Sequence, residues 1–240
     1  MANLEKDQLQ SAVPEFTHGS SSDHFNMDQP LAENTTSFKD DFTNFYKGDF
    51  KKILTIFFKN PIDGLREVFE KTSNKAYKNA LILFISVFLL YSLGFYLMAG
   101  KARRYMEFSD FLKFGLIPVV FMLFISVMSF SMKSTLGKAQ LKDELFTGAL
   151  CGIPLGILFL ILFSLQLFGK DTMLDLIRDP EDIGAFASLV SVFIFLMFIN
   201  IVQQSVKSAR GSDSLAWYGS PLAVLLSFYL TYQVVIEMIY

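Results

Sequence analysis

The run from Phe146 to Phe168, FTGALCGIPLGILFLILFSLQLF, carries no charged side chain over a length close to the roughly 20 residues a helix needs to cross a bilayer. Within its first half, Gly148, Gly152 and Gly156 recur every four residues, which places them on one helix face and leaves that face nearly flat. Lipid supplies no hydrophobic force between helices. Close backbone approach over such a stripe, a glycine zipper, is therefore what draws a neighbour in. Pro154 lies in the same half. Its missing N–H and its clash with the preceding turn predict a kink, with the Leu150 carbonyl left without its usual partner. The segment reads as the central helix of a membrane bundle.

Four more apolar segments share its length. Together the five run approximately 77–98, 111–132, 146–168, 185–206 and 217–239, joined by short connections. The chain is 52% hydrophobic and 18% charged, against about 25% charged in an ordinary soluble domain. The expected fold is all-α: a polytopic five-transmembrane-helix bundle spanning 77–240, preceded by amphipathic helices. A net charge of -2 argues against a nucleic-acid partner or a generally basic surface. A single cysteine, Cys151, excludes an intrachain disulfide and a cysteine-built zinc site. The opening residues, MANLEKDQLQSAVPEF, lack the apolar core of a secretory signal, so insertion is expected to depend on the internal segments.

Residues 1–40 are polar, with apolar residues at no regular period, and are expected to form a disordered cytoplasmic tail. His18 and His24 lie in it without carboxylate or cysteine partners at ligand spacing, so no metal and no cofactor is expected. From 41 to 76 the pattern changes. Phe42, Phe45, Tyr46, Phe50, Ile53, Leu54, Phe57 and Phe58 recur at three and four residues, with Lys47, Lys51, Lys52 and Lys59 between them, which describes a helix in the headgroup plane. Asn60 reads as an N-cap and Pro61 as the first residue of a second amphipathic helix. Whether these helices bind lipid or cover the ends of the bundle stays open from sequence. Lys and Arg beside the span ends favour the N-terminus inside and the C-terminus outside a bacterial-type cytoplasmic membrane, although Lys101, Arg103 and Arg104 count against that orientation. The acid-rich connection 169–184 lacks the arrangement of a calcium loop and reads as a solvated outer turn.

Polar residues at membrane depth are first suspects for function. Those within the apolar segments are Gln166, Asn200, Gln203, Gln204, Gln233 and Glu237, with Asn200 and Gln204 sharing one face and Gln233 and Glu237 another. Interhelical amide bonds explain them; a substrate path past Gln166, Asn200 and Gln233 is the sharper alternative. No histidine, aspartate pair or Ser/Lys dyad is legible within the spans, so no enzyme and no small-molecule substrate is expected.

The segment FFKNPIDGLREVF (57–69), the five closely spaced spans and LGKAQLKDELFTGALCGIPLGIL (136–158) together resemble the Yip family of Ypt/Rab-interacting membrane proteins, in particular its divergent bacterial members. In the last of these runs a glycine after the second span leads through a polar stretch to a third span with proline near its start. The resemblance implies a cytoplasmic N-terminal region, five transmembrane helices and a short outward C-terminus. Eukaryotic relatives carry an Asp-Leu-Trp/Tyr-Gly-Pro motif before the first span, where this chain has Lys59-Asn60-Pro61-Ile62, a departure that argues against small-GTPase binding. The expected function is a membrane scaffold or adaptor, partnered by the lipid bilayer and by another membrane protein or a second copy. A small transporter or channel, or an ancillary subunit of an export ATPase, is the alternative.

Overall fold

The computed structural model describes residues 38–72, 76–137, 139–168, 180–209 and 213–239. The expected tail up to residue 37, both histidines and residues 169–179 of the acidic connection lie outside them. The described residues are helical, with no strand among them, and five of the helices are long and apolar enough to cross a membrane. The amphipathic region is α1 (Phe38–Asn44), a π-helical turn (Phe45–Phe50), α2 (Lys51–Lys59) and α3 (Asp63–Thr72). Helix therefore begins at Phe38, inside the stretch expected as tail.

The spans are α4 (Ala76–Met98), α5 (Phe108–Ser134), α6 (Leu141–Leu150) continued by α7 (Gly152–Phe168), α8 (Pro180–Ser208) and α9 (Asp213–Ile239). Most overrun their expected bounds into the flanking polar residues. At the start of α5, Glu107 and Asp110 form a reciprocal capping box, with the Glu107 N–H donating to Asp110 Oδ2 at 3.0 Å. At the end of α4, the Arg103 guanidinium donates to the Tyr96 carbonyl from Nε at 3.1 Å and Nη2 at 2.7 Å, and it stacks 3.8 Å from the centre of the Tyr96 ring. Gly100 then takes φ 50°, a left-handed turn a side chain would resist.

The third span is one helix in the sequence reading and two in the structure. It starts at Leu141 and breaks at Cys151, one turn before Pro154. Pro154 offers no N–H to Leu150, and its ring crowds that carbonyl, so the preceding turn tightens. The Cys151 N–H bonds to the Gly148 carbonyl at 3.0 Å, a three-residue step, before Leu155 N–H returns to the Cys151 carbonyl at 3.3 Å. This broken span is the most enclosed: 61% of its apolar window is buried, against 28% for α9. It packs on α4, α5 and α8, while α9 lies on α5 and α8.

The core runs without interruption from the spans into the amphipathic helices, taking in Phe45, Ile53, Phe57, Leu65 and Val68. The choice left open by the sequence is thus decided for one face of α1–α3: it covers the bundle. Tyr46 donates its hydroxyl to Ser86 Oγ in α4 at 2.5 Å, and Asp41 pairs with Lys78 at 3.2 Å. Asn60 closes α2 through its N–H to the Ile56 carbonyl at 2.8 Å, and its own carbonyl accepts the Gly64 N–H at 3.0 Å to open the next turn. Regular helix resumes only at Asp63, after a turn at Pro61 and Ile62.

Candidate functional site

Among the described residues, buried polar chemistry concentrates where the end of α5 meets the start of α6. Met122, Ser126, Ser129 and Lys133 follow one another at four, three and four residues on α5, which brings them to one face. On the facing helices Glu144 continues the glycine stripe by one turn, so Glu144, Gly148 and Gly152 share a side. The two helices run antiparallel and their faces meet. A Cβ added at Gly148 would fall within contact distance of both Ser126 Oγ and the Met122 carbonyl oxygen, a backbone atom that cannot swing aside. At Gly152 it would stand 2.7 Å from Val87 Cγ2 and 3.3 Å from Met122 Cε. Gly156 differs: its nearest neighbour would be Leu90 Cδ2 at 3.9 Å, ordinary contact, so the stripe serves close approach at two of its three positions.

One turn toward the N-terminal side, this close approach delivers a charge pair. Lys133 Nζ lies 2.8 Å from Glu144 Oε1, with side chains only 6% and 1% exposed. Ser129 Oγ donates to Glu144 Oε2 at 2.5 Å, and Thr147 Oγ1 reaches the same oxygen at 3.3 Å. Ser205 of α8 shares a hydrogen bond with Thr147 across 2.6 Å. The helix termini assist, since Glu144 is in the first turn of α6 and Lys133 in the last turn of α5, where the backbone dipoles favour these signs. Desolvating two ions is costly. Supplementary hydrogen bonds of this kind are what make such a pair tolerable. The Lys133 ammonium also faces the Phe69 ring of α3 at 5.9 Å, and Phe69 meets Phe146 edge-on at 6.0 Å, so the amphipathic region roofs the cluster.

Sequence reasoning counted Lys133 among loop charges and passed over Glu144, and it read no serine–lysine pair. The structure brings Ser129, Lys133 and Glu144 together. The missed signal was the four-residue step from Glu144 to Gly148, visible in the sequence as an acid on the glycine face. Ser129 is fully buried and donates to Glu144, and Lys133 pairs with the same carboxylate.

The residues singled out from sequence fall into separate places. Asn200 Nδ2 donates to the Pro61 carbonyl at 2.8 Å, and Gln204 Nε2 to Asn200 Oδ1 at 3.4 Å, so this face of α8 holds the α2–α3 turn. Gln233 and Glu237 are exposed on α9; Gln166 lies on α7 with its side chain outside the described residues. Measured along their helices, Asn200 lies about 12 Å from the C-terminal end of α8 and Gln233 about 30 Å from the N-terminal end of α9, so they stand at different depths. Phe57 is buried, Phe50 half-buried against Phe45 and Tyr46, and Lys51, Lys52, Phe58, Asn60 and Pro61 are exposed. Between α4, α5, α7 and α9 lies a crevice of about 360 Å³, lined by Phe95, Phe114, Phe121, Leu158 and Phe228 among others. The Tyr91 hydroxyl in it donates to the Leu155 carbonyl at 2.8 Å, and that of Thr231 to the Ser227 carbonyl at 2.7 Å.

Two further close approaches escaped the sequence reading. A Cβ at Gly115 would meet the Phe88 carbonyl at 2.9 Å, seating α5 on α4. On α9, Ala216, Ser220, Ala223, Ser227 and Thr231 form a buried small-residue stripe whose hydroxyls fold back on carbonyls four residues earlier, Ser220 at 2.7 Å and Ser227 at 2.8 Å. No family model, curated protein or solved structure matches the chain.

Proposed function

We propose that the protein is a non-enzymatic membrane scaffold of the Yip type, working by contact through its spans and its N-terminal helices. The observation that carries this reading is the Lys133–Glu144 cluster. The strongest buried charges in the bundle neutralise each other, and their remaining valences are filled by Ser129 and Thr147. Such a cluster fixes the relative positions of α5, α6 and α8, and through Phe69 that of α3. The apolar crevice agrees with it, since passage of a polar solute needs a hydrated lining. The loosely enclosed α9, with Trp217, Tyr218, Tyr229 and Tyr232 exposed, offers a surface for a membrane partner or a second copy.

The same reading puts α1–α3 on the cytoplasmic side of a bacterial-type inner membrane. Arg103, counted against that orientation, is engaged in capping α4, so structural need accounts for its place on the far side. The experiment is photo-crosslinking in native membranes from positions within 41–69 and from Tyr229, followed by purification in mild detergent. A specific membrane-protein adduct or a self-adduct is the expected result. A monodisperse monomer with no adduct from either surface would end the scaffold reading.

A further inference from the structure

The amphipathic helices α1–α3 cover the bundle with one face and turn another outward. Their depth is set by two hydrogen bonds. Ser86, which receives the Tyr46 hydroxyl, stands about 15 Å along α4 from Ala76. Asn200, which holds the Pro61 carbonyl, stands about 12 Å before Ser208. Both anchors fall within stretches apolar enough to span a membrane, so the α2–α3 turn lies beside hydrocarbon-facing helix rather than beyond its ends. At that level Phe58, just before the turn, and Ile62, within it, are 63% and 59% exposed.

Lys51, Lys52 and Lys59 are exposed on the same short region, and among the described residues none of them is paired with a carboxylate. Lys51 and Lys52 line a recess of about 470 Å³ with Thr55, Ile56 and Glu67. The Thr55 hydroxyl donates to the Lys51 carbonyl at 2.8 Å, so toward a ligand it can only accept, and charge attraction has to come from the lysines. Two ammonium groups facing one carboxylate, with a third lysine on the same short helix, favour a phosphate. Exposed apolar side chains beside a basic recess match an amphiphile carrying both parts.

We propose that this recess binds the headgroup of an anionic phospholipid from the leaflet on the α1–α3 side, with the acyl chains running beside Phe58 and Ile62. The lysines supply the attraction, and Asn200 and Ser86 hold the helices against the bundle. The site does not depend on the scaffold reading.

The test uses the full chain in nanodiscs of phosphatidylcholine and phosphatidylglycerol, with Phe58→Trp as reporter in a Trp217→Phe background. One lipid at a time carries brominated chains. Brominated phosphatidylglycerol is expected to quench the reporter more than brominated phosphatidylcholine at equal mole fraction. Lys51→Gln and Lys52→Gln should each reduce that preference by about fivefold. Lys142→Gln, an exposed lysine outside the recess on the same side, should leave it intact. Equal quenching by the two lipids, or a preference that survives the double lysine variant, would overturn the proposal. So would a reporter quenched by neither lipid, since that places protein over the recess. The single Lys52→Gln variant keeps the comparison available if the double variant does not fold.

Discussion

Asn200 donates from Nδ2 to the carbonyl of Pro61 across 2.8 Å, joining the inner part of a transmembrane helix to the turn between two amphipathic ones. The bond crosses 139 positions of sequence and sets how α2 and α3 lie on the bundle. An apolar residue at 200 leaves the carbonyl unsatisfied at a level where water is scarce, a cost of about 1–3 kcal/mol. Asn200→Leu should therefore raise hydrogen exchange and proteolytic cleavage across 38–72 while leaving exchange in α5 and α6 unchanged. Uniform protection in the variant would show that the turn is held by packing alone.

Removing one member of the Lys133–Glu144 pair leaves the other charged and enclosed. Lys133→Met or Glu144→Gln should each destabilise the protein by about 3–5 kcal/mol, whereas Lys133→Met with Glu144→Leu should recover most of the loss. Thermal unfolding in mild detergent, followed by a thiol-reactive dye at buried Cys151, reads this directly. Additive single and double effects would mean that the two charges do not support each other.

The glycine stripe separates into tight and loose positions. Gly148→Ala pushes a methyl group into the Met122 carbonyl and should lower the unfolding temperature strongly, by an amount corresponding to about 1–3 kcal/mol, as overpacking does. Gly156→Ala, which meets only Leu90, should be neutral or slightly stabilising because alanine restricts the unfolded chain. The same Cys151 dye assay ranks the two, and equal effects would contradict the helix approach described above.

Sidedness is open to a labelling experiment. In the proposed orientation, single cysteines at Lys142 and Arg104 should react with an impermeant maleimide from opposite faces of the membrane, Lys142 from the cytoplasm. Cys151 is buried and contributes little background. Labelling of both from one face would remove the odd number of crossings, and exchange of the two faces would invert the orientation.

The spans, their approximate limits and the existence of amphipathic helices before them follow from composition and period along the chain. A long uncharged run must satisfy its backbone internally as helix once lipid surrounds it, whatever its neighbours are. The proline-driven break was legible as well: it falls at Cys151, within the turn that Pro154 crowds. Tertiary structure decided what each helix face meets. Gly148 and Gly156 are alike in sequence, yet the α5 backbone comes against the first and only a leucine methyl approaches the second. Lys133 reads as a charge beside a span end, and Glu144 goes unassigned, because hydropathy is summed along one segment. Whether such a charge meets water or an opposite charge depends on the helix opposite, and that is a property of the packed bundle.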